Sequence, residues 1–382
     1  MPDRSFLSWP FFEPRHRELS DELQQWCADN LTGRYAEDID DECRTLVREL
    51  GAAGFLKLTV ADGKLRPDVR SLAIARETLA YHSALADFAF AMQGLGSGAI
   101  SLFGTVEQKR QCLPRVASGE AIAAFAMTEP ECGSDAANIQ TSAMRDGNEW
   151  VLVGDKTLIS NGGIADFYVS FARTGEGEGA RGLSAFIVPA DLVAVQERIE
   201  VIAPHPLARL RYDKVRIPAD AIIGEPGEGF RIGMETLNLF RVTVGAAALG
   251  FARRALDEAV SFATERRLGS GTLADNAVTQ ARLADMALAV DASALLVYRA
   301  GWQQDEGGVD NRRAAAMAKL HATEAGSRVI DAAVQMHGGA GVTKGVKVEE
   351  LYRDIRALRI YEGASEVQRQ IIARDLLKGA TS

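Results

Sequence analysis

The chain has 382 residues, 47% of them hydrophobic and 25% charged, and a formal net charge of −9. Those values fit a globular enzyme of two or three domains, and an acidic chain with no basic run argues against nucleic acid as the main partner. No apolar run approaches the ~18 residues of a membrane helix, and the first residues lack the layout of a secretion signal. Cys27, Cys43, Cys112 and Cys132 have neither paired nor metal-like spacing, so we expect free thiols, no metal, no membrane contact and a cytoplasmic location.

In chain order, the stretch to about residue 120 reads as helical. Apolar residues recur at helical spacing over residues 16–27, 41–50, 72–81 and 88–103. Gly94, Gly96, Gly98 and Ala99 crowd the last of these. A helical Gly costs about 1 kcal/mol against Ala, so the cluster points to a close approach, by a bound group or by a neighbouring helix. From about residue 121 the period changes to two. Strand-like runs cover 121–128, 150–153, 167–172, 183–188, 199–202 and 210–217. Turn signals separate them at Arg145-Asp-Gly147, at 175–179 and at Pro218-Ala-Asp220, as in a compact antiparallel barrel or sandwich. Past residue 229 the helical period returns over 230–267, 276–302, 312–336 and 366–377, the mark of an antiparallel bundle. The expected architecture is α+β: an all-helical domain over 1–120, a β-barrel or sandwich over 121–224, and a four-helix bundle over 225–382.

One segment, Arg359-Ile-Tyr-Glu-Gly-Ala-Ser-Glu-Val-Gln368, places a carboxylate directly before a glycine at a loop-to-helix junction. Such a carboxylate can take a proton while the adjacent backbone amides bind an oxygen, which suits removal of a proton α to a carbonyl. Glu362 can equally open a helix, where acidic residues favour the dipole.

Three further segments stand with it: Phe125-Ala-Met-Thr-Glu-Pro-Glu-Cys-Gly-Ser-Asp135, Gly154-Asp-Lys-Thr-Leu-Ile-Ser-Asn-Gly-Gly163 and Gln335-Met-His-Gly-Gly-Ala-Gly341. Alone, Gly338-Gly339 reads as a helix C-cap and Ser160-Asn161-Gly162 as a turn. Together and in this order the four segments resemble the acyl-CoA dehydrogenase family of FAD-dependent flavoproteins over nearly the whole chain. The resemblance implies that Glu362 is the base for the α-proton of an acyl-CoA, that a hydride passes from the β-carbon to FAD, and that electrons leave to an electron-transferring flavoprotein. It implies that Met127, Thr128 and Ser160 bond the flavin ring, with Phe125 and Glu366 also on the cofactor side. Gly133 and Ser134 would meet its phosphates, Ser134 touching CoA as well. Arg266, Gln335, Gly338 and Gly339 match the segment that meets the flavin of a neighbouring subunit, which implies a homo-oligomer, a dimer or tetramer. Asn238, Arg241 and Gly363 fall on the substrate side.

Some members place the base immediately before the residue matching Arg241; here that residue is Phe240, so Glu362 takes the role. The chain departs from the family pattern at Arg266-Arg-Leu-Gly-Ser270, where Phe-Gly is usual, and at Ala277, where a Gln helps hold the flavin. Weaker FAD retention is therefore expected. Leu158 replaces an aromatic shield beside Ile159, and the glycine cluster after residues 56–60 is reduced to Asp62-Gly63, a shortened loop. His337 reads as structural, and Cys132, with no flanking cation, as unreactive. A flavin oxidase or monooxygenase on the same fold, and one subunit of a heteromeric dehydrogenase, remain alternatives.

Overall fold

The protein is described here by a computed structural model covering residues 3–34, 37–61, 66–307 and 311–380. Five helices come first: α1 (Pro14–Leu31), α2 (Ile39–Ala52), α3 (Val69–His82), α4 (Ala84–Phe103) and α5 (Val106–Ala117). The strands are β1 (Ala123–Ala126), β2 (Ser142–Asp146), β3 (Glu149–Ser160), β4 (Phe167–Arg173), β5 (Leu183–Pro189), β6 (Ala194–Arg198), β7 (Leu207–Pro218) and β8 (Ile222–Ile223). Then follow α6 (Gly229–Glu265), a small hairpin of β9 (Arg267–Leu268) and β10 (Gly271–Thr272), α7 (Ala277–Glu306), α8 (Arg312–His337), α9 (Lys347–Leu358) and α10 (Ser365–Ala380). The loop expected to be shortened at Asp62-Gly63 lies outside the described residues.

Helix starts follow local chemistry. Asp38 accepts from the backbone of Asp40 and Asp41 to open α2, and Asn276 caps α7. The α5 segment, absent from the apolar pattern, is opened by a reciprocal Thr105–Gln108 capping box that its sequence already spells.

The described residues form two compact units. One comprises Tyr35–Pro67 and Phe88–Phe240 and contains the main sheet, in the strand order β6-β7-β3-β2-β4-β5-β8 with β1 beside β4. The pairing is largely antiparallel, but β1–β4 and β2–β4 are parallel, which corrects the all-antiparallel expectation. The strand expected at 199–202 is also corrected. The edge strand is β6, whose five residues are all exposed and so carry no apolar alternation to read, whereas 199–202 precedes Pro204 and Pro206 and leaves Ile202 58% exposed. One hydrophobic cluster joins the sheet to Ile100, Leu113, Val116 and Ile232. A second, built from the strands themselves, packs Trp150, Tyr168, Phe186 and Tyr212.

The other unit comprises Met1–Arg34, Asp68–Asp87 and Arg241–Ser382. Here α7, α9 and α10 pack on α8, and α1 and α7 pack on α3. Buried charges tie these helices together. Arg70 pairs with Asp305 at 2.8 Å, and Glu77 binds both Arg253, at 2.6 Å, and the Tyr298 hydroxyl.

Candidate active site

In the helical unit, a turn joins α9 to α10. Ser365 braces it by donating its amide to Arg359 O (3.1 Å) and its hydroxyl to Glu324 Oε1 (2.6 Å), while Arg359 pairs with Glu324 at 2.9 Å. Within the turn Glu362 has φ +50° and Gly363 φ +88°. A left-handed non-glycine residue costs about 1–3 kcal/mol and persists only where its surroundings hold it. Gly363 must stay glycine, because an added Cβ would lie 2.6 Å from Gln368 Nε2, which donates to Gly363 O at 2.7 Å. From α8, Lys319 Nζ donates to both Tyr361 O (2.6 Å) and Gly363 O (2.5 Å).

The Glu362 residue is half-buried, yet its Oε2 is shut off from solvent and has no hydrogen-bond partner among the described residues. Burial pushes its pKa up. Arg76, Lys319 and Arg241 pull it back, Asp87 adds to the rise, and the balance is upward. Arg76 is held by two 2.8 Å bonds to Asp87 and donates to Thr243 Oγ1 at 3.2 Å. Lys319 is pulled down to about 8 by burial, against the opposing charge of Glu362. Arg241 is also lowered by burial and raised by Glu362. Three cations thus face two carboxylates, so the cluster tolerates an ionised Glu362 and further negative charge beside it. Glu362, Gly363 and Arg241 were legible as candidates; Arg76, Asp87 and Lys319 were not.

In the β unit, the 125–135 segment leaves β1 and is anchored from below. Lys156, fully buried on β3, donates to Met127 O (3.1 Å) and Glu129 Oε1 (2.8 Å). Glu129 also accepts from the amides of Gln140 (2.5 Å) and Thr141 (2.9 Å), and Thr128 O accepts from Thr157 N at 3.0 Å. Burial pulls Lys156 down to about 8 and Glu129 holds it up. Neither partner of this pair was anticipated. Thr128 and Ser160 are half-buried, Met127 is buried, and the Phe125 ring tilts against Phe171 at 4.9 Å. Gly133 and Ser134 are exposed, and a Cβ on Gly133 would meet nothing within 4 Å, so a ligand can approach that backbone. Cys132 donates its thiol to Asp135 O at 2.6 Å, and burial pushes its pKa up.

Ser160 lies between Leu158, at φ +55° and 54% exposed, and Asn161, at φ +60°, whose Nδ2 donates to Ala123 O at 2.9 Å. Leu158, Asn161 and Glu362 are three of the four described non-glycine residues with positive φ. Strain of this kind therefore gathers at the anticipated sites. Asn238 is half-buried on α6, and the neighbouring Phe240 ring fills the notch left by Gly94 and Gly98, where added Cβ atoms would lie 2.6 and 2.8 Å from it. The glycine cluster of α4 therefore admits a protein ring.

The remaining candidates lie in the helical unit. Arg266, Gln335, Gly338, Gly339 and Glu366 are exposed, and Gly338 closes α8 at φ +59°. His337 is buried, stacked on Phe262 at 4.2 Å with Nδ1 2.8 Å from Ala333 O, which is a structural placement. The stretch after Arg266 forms the β9–β10 hairpin, and Ala277 is the first residue of α7.

Family models for the N-terminal, middle and C-terminal domains of acyl-CoA dehydrogenase match residues 13–120, 124–215 and 227–377. A probable acyl-CoA dehydrogenase of Mycobacterium leprae, fadE25, is 37% identical over 95% of this chain and 95% of its own length. The chain belongs to the acyl-CoA dehydrogenase family. Its fold agrees with that of solved acyl-CoA dehydrogenases. Butyryl-CoA dehydrogenase from Megasphaera elsdenii superposes with a TM-score of 0.89 at 30% identity, covering 96% of this chain and 99% of that one. A glutaryl-CoA dehydrogenase from Mycobacterium smegmatis, solved in complex with FADH2, superposes with a TM-score of 0.87 at 27% identity, covering 96% and 95%. The protein is accordingly an oxidoreductase with the helical, β and helical domain order of acyl-CoA dehydrogenases, and its cofactor is FAD. Among the described residues, no helix is long and apolar enough to cross a membrane.

Proposed function

We propose that the enzyme oxidises the Cα–Cβ bond of an acyl-CoA thioester, with Glu362 taking the α-proton. The observation that carries this reading is the Glu362 carboxylate: strained into a left-handed turn, with one oxygen, Oε2, shut off from solvent and unpartnered among the described residues. Burial raises its proton affinity towards that of a useful base, while three nearby cations keep its charged form accessible. Bound FAD supplies the acceptor for the hydride that leaves the β-carbon, so proton and electron pair are both accounted for and an enoyl-CoA results. The backbone beside Glu362, at Gly363, and the Arg241 cation favour negative charge on the thioester oxygen as the proton leaves.

The residues in the β unit fit FAD. Half-buried hydroxyls at Thr128 and Ser160 suit its polar ring edge, buried Met127 and the Phe125 ring suit its apolar faces, and the open backbone at Gly133 suits a phosphate. Ser134 and Asn238 would meet the CoA chain. Exposed Arg266, Gln335, Gly338, Gly339 and Glu366 suit the cofactor of a neighbouring subunit in a homo-oligomer, a planar guanidinium matching a pyrophosphate. An electron-transferring flavoprotein would take the electrons, and four free thiols fit a reducing cytoplasm.

The decisive test is anaerobic stopped-flow reduction of the flavin by butyryl-CoA, hexanoyl-CoA and octanoyl-CoA. Glu362→Gln is expected to keep FAD and lose about 10²–10⁴ in rate; a rate within about threefold of wild type removes Glu362 from the mechanism. The single chain should purify yellow. A colourless chain that takes FAD only with a second, related chain present would sink the homo-oligomer reading.

A further inference from the structure

Among the buried residues of α8, Lys319 is the sole lysine or arginine. It is surrounded along the helix by Ala315, Ala316, Ala318 and Ala322, and is 1% exposed. A buried ammonium normally seeks a carboxylate, yet no hydrogen bond or ion pair joins it to Glu362, and its nitrogen donates instead to the carbonyls on either side of that residue. Two carbonyl dipoles converging on one point repel each other unless a cation sits between them. The charge of Lys319 therefore favours the backbone shape that puts Glu362 at φ +50°. The groups facing Glu362 from the surrounding helices are Arg76 on α3, Asp87 on α4, Arg241 on α6 and Lys319 on α8. Arg76 pulls hardest on Glu362, but it is itself held in a bidentate pair with Asp87 at 2.8 Å. Among the described residues Lys319 Nζ bonds only carbonyls, so its charge acts on Glu362 through space while Oε2 stays uncapped.

We propose that Lys319 is a positioning residue for the reaction: its ammonium clamps the Tyr361 and Gly363 carbonyls, holds Glu362 in its left-handed turn, and keeps the carboxylate charged without capping it. This rests on the reading of Glu362 as the base. Burial draws Lys319 itself down to about 8, so the clamp is cationic at neutral pH and loses its charge in mildly alkaline solution.

The test uses the flavin-loaded enzyme with butyryl-CoA (or the longer acyl-CoA that reduces it fastest), comparing Lys319→Met, Lys319→Gln, Lys319→Arg and Glu362→Gln. The readouts are kcat and KM from pH 5.5 to 9, FAD per chain, and an infrared pH titration of the carboxyl band that is lost in Glu362→Gln. Removing a cation near a carboxylate raises its pKa by about 1–3 units. In Lys319→Met the acid limb of kcat and the infrared midpoint should move up together by that amount, with KM changed less than about threefold. Lys319→Arg should restore both midpoints. Should Lys319→Met not accumulate, Lys319→Gln against Lys319→Arg decides in the same way, the first shifted and the second not. Unshifted midpoints in the neutral variants overturn the proposal, and so does loss of the fold in all three. A Glu362→Gln enzyme that still turns over sinks the base reading and this proposal together. An inactive Glu362→Gln beside silent Lys319 variants sinks this proposal alone.

Discussion

Lys156 and Lys319 are both buried and both drawn down to about 8, yet they serve opposite ends. Lys156 meets Glu129 at 2.8 Å, and the same carboxylate accepts two backbone amides, so both of its oxygens are taken. Such a cluster fixes the Met127–Glu129 loop and has nothing left to react with. Lys319 stands beside a carboxylate it does not bond, and Glu362 keeps an oxygen without a partner. A buried cation thus gives rigidity when it caps its carboxylate and reactivity when it is diverted to the backbone instead.

The comparison is broken most sharply by removing one charge from each cluster. Glu362→Gln should cost about 10²–10⁴ in flavin reduction and nothing in stability. Folding raises this pKa, so its contribution is fully present below the unfolded value of 4.5 and is lost as pH rises through the folded one. At pH 7 the variant's Tm should therefore equal or exceed that of wild type, and a Tm several degrees lower would place Glu362 in the scaffold instead. Lys156→Met should do the reverse, destabilising by about 3–5 kcal/mol because it strands a buried charge. Adding Glu129→Leu should recover part of that loss in urea melts, whereas an additive double mutant would deny the pair.

Gly363→Ala tests the turn that separates the two cases. It forces an L side chain into φ +88° and against Gln368, an expected loss of about 1–3 kcal/mol with a larger fall in kcat than in FAD content. The smallest effect concerns pH. Each lysine binds its proton less tightly when folded, about 8 against the ordinary 10.5, so stability contributed by these sites rises as pH climbs through that window. Subtracting the urea stabilities of Lys319→Met from those of wild type at pH 8 and pH 10 should give a positive difference with rising pH, and a flat or negative one would contradict the buried ammonium.

What the sequence made legible was local. The change from helical to alternating period marks the helical, β and helical order, and a carboxylate before a glycine drew attention to Glu362. What it hid was brought together by the fold. Arg76 and Asp87 lie on different helices, and Glu129 reaches Lys156 across 27 positions. Lys319 carries only an indirect mark in the sequence: in register, it falls on the same small-residue stripe as Ala315, Ala316 and Ala322, a face with no room for a hydrated charge. The edge strand β6 left none, since a strand exposed on both faces has no alternation to display.

The left-handed backbone at Glu362 also bears on any attempt to make this protein sturdier. Asn or Gly at position 362 would relax the turn, and a search guided by heat resistance alone would select one of them. The relaxed chain would keep its helices and its sheet while losing the one side chain proposed to accept the substrate's proton. Thermal screening and catalytic screening should therefore diverge first at this codon.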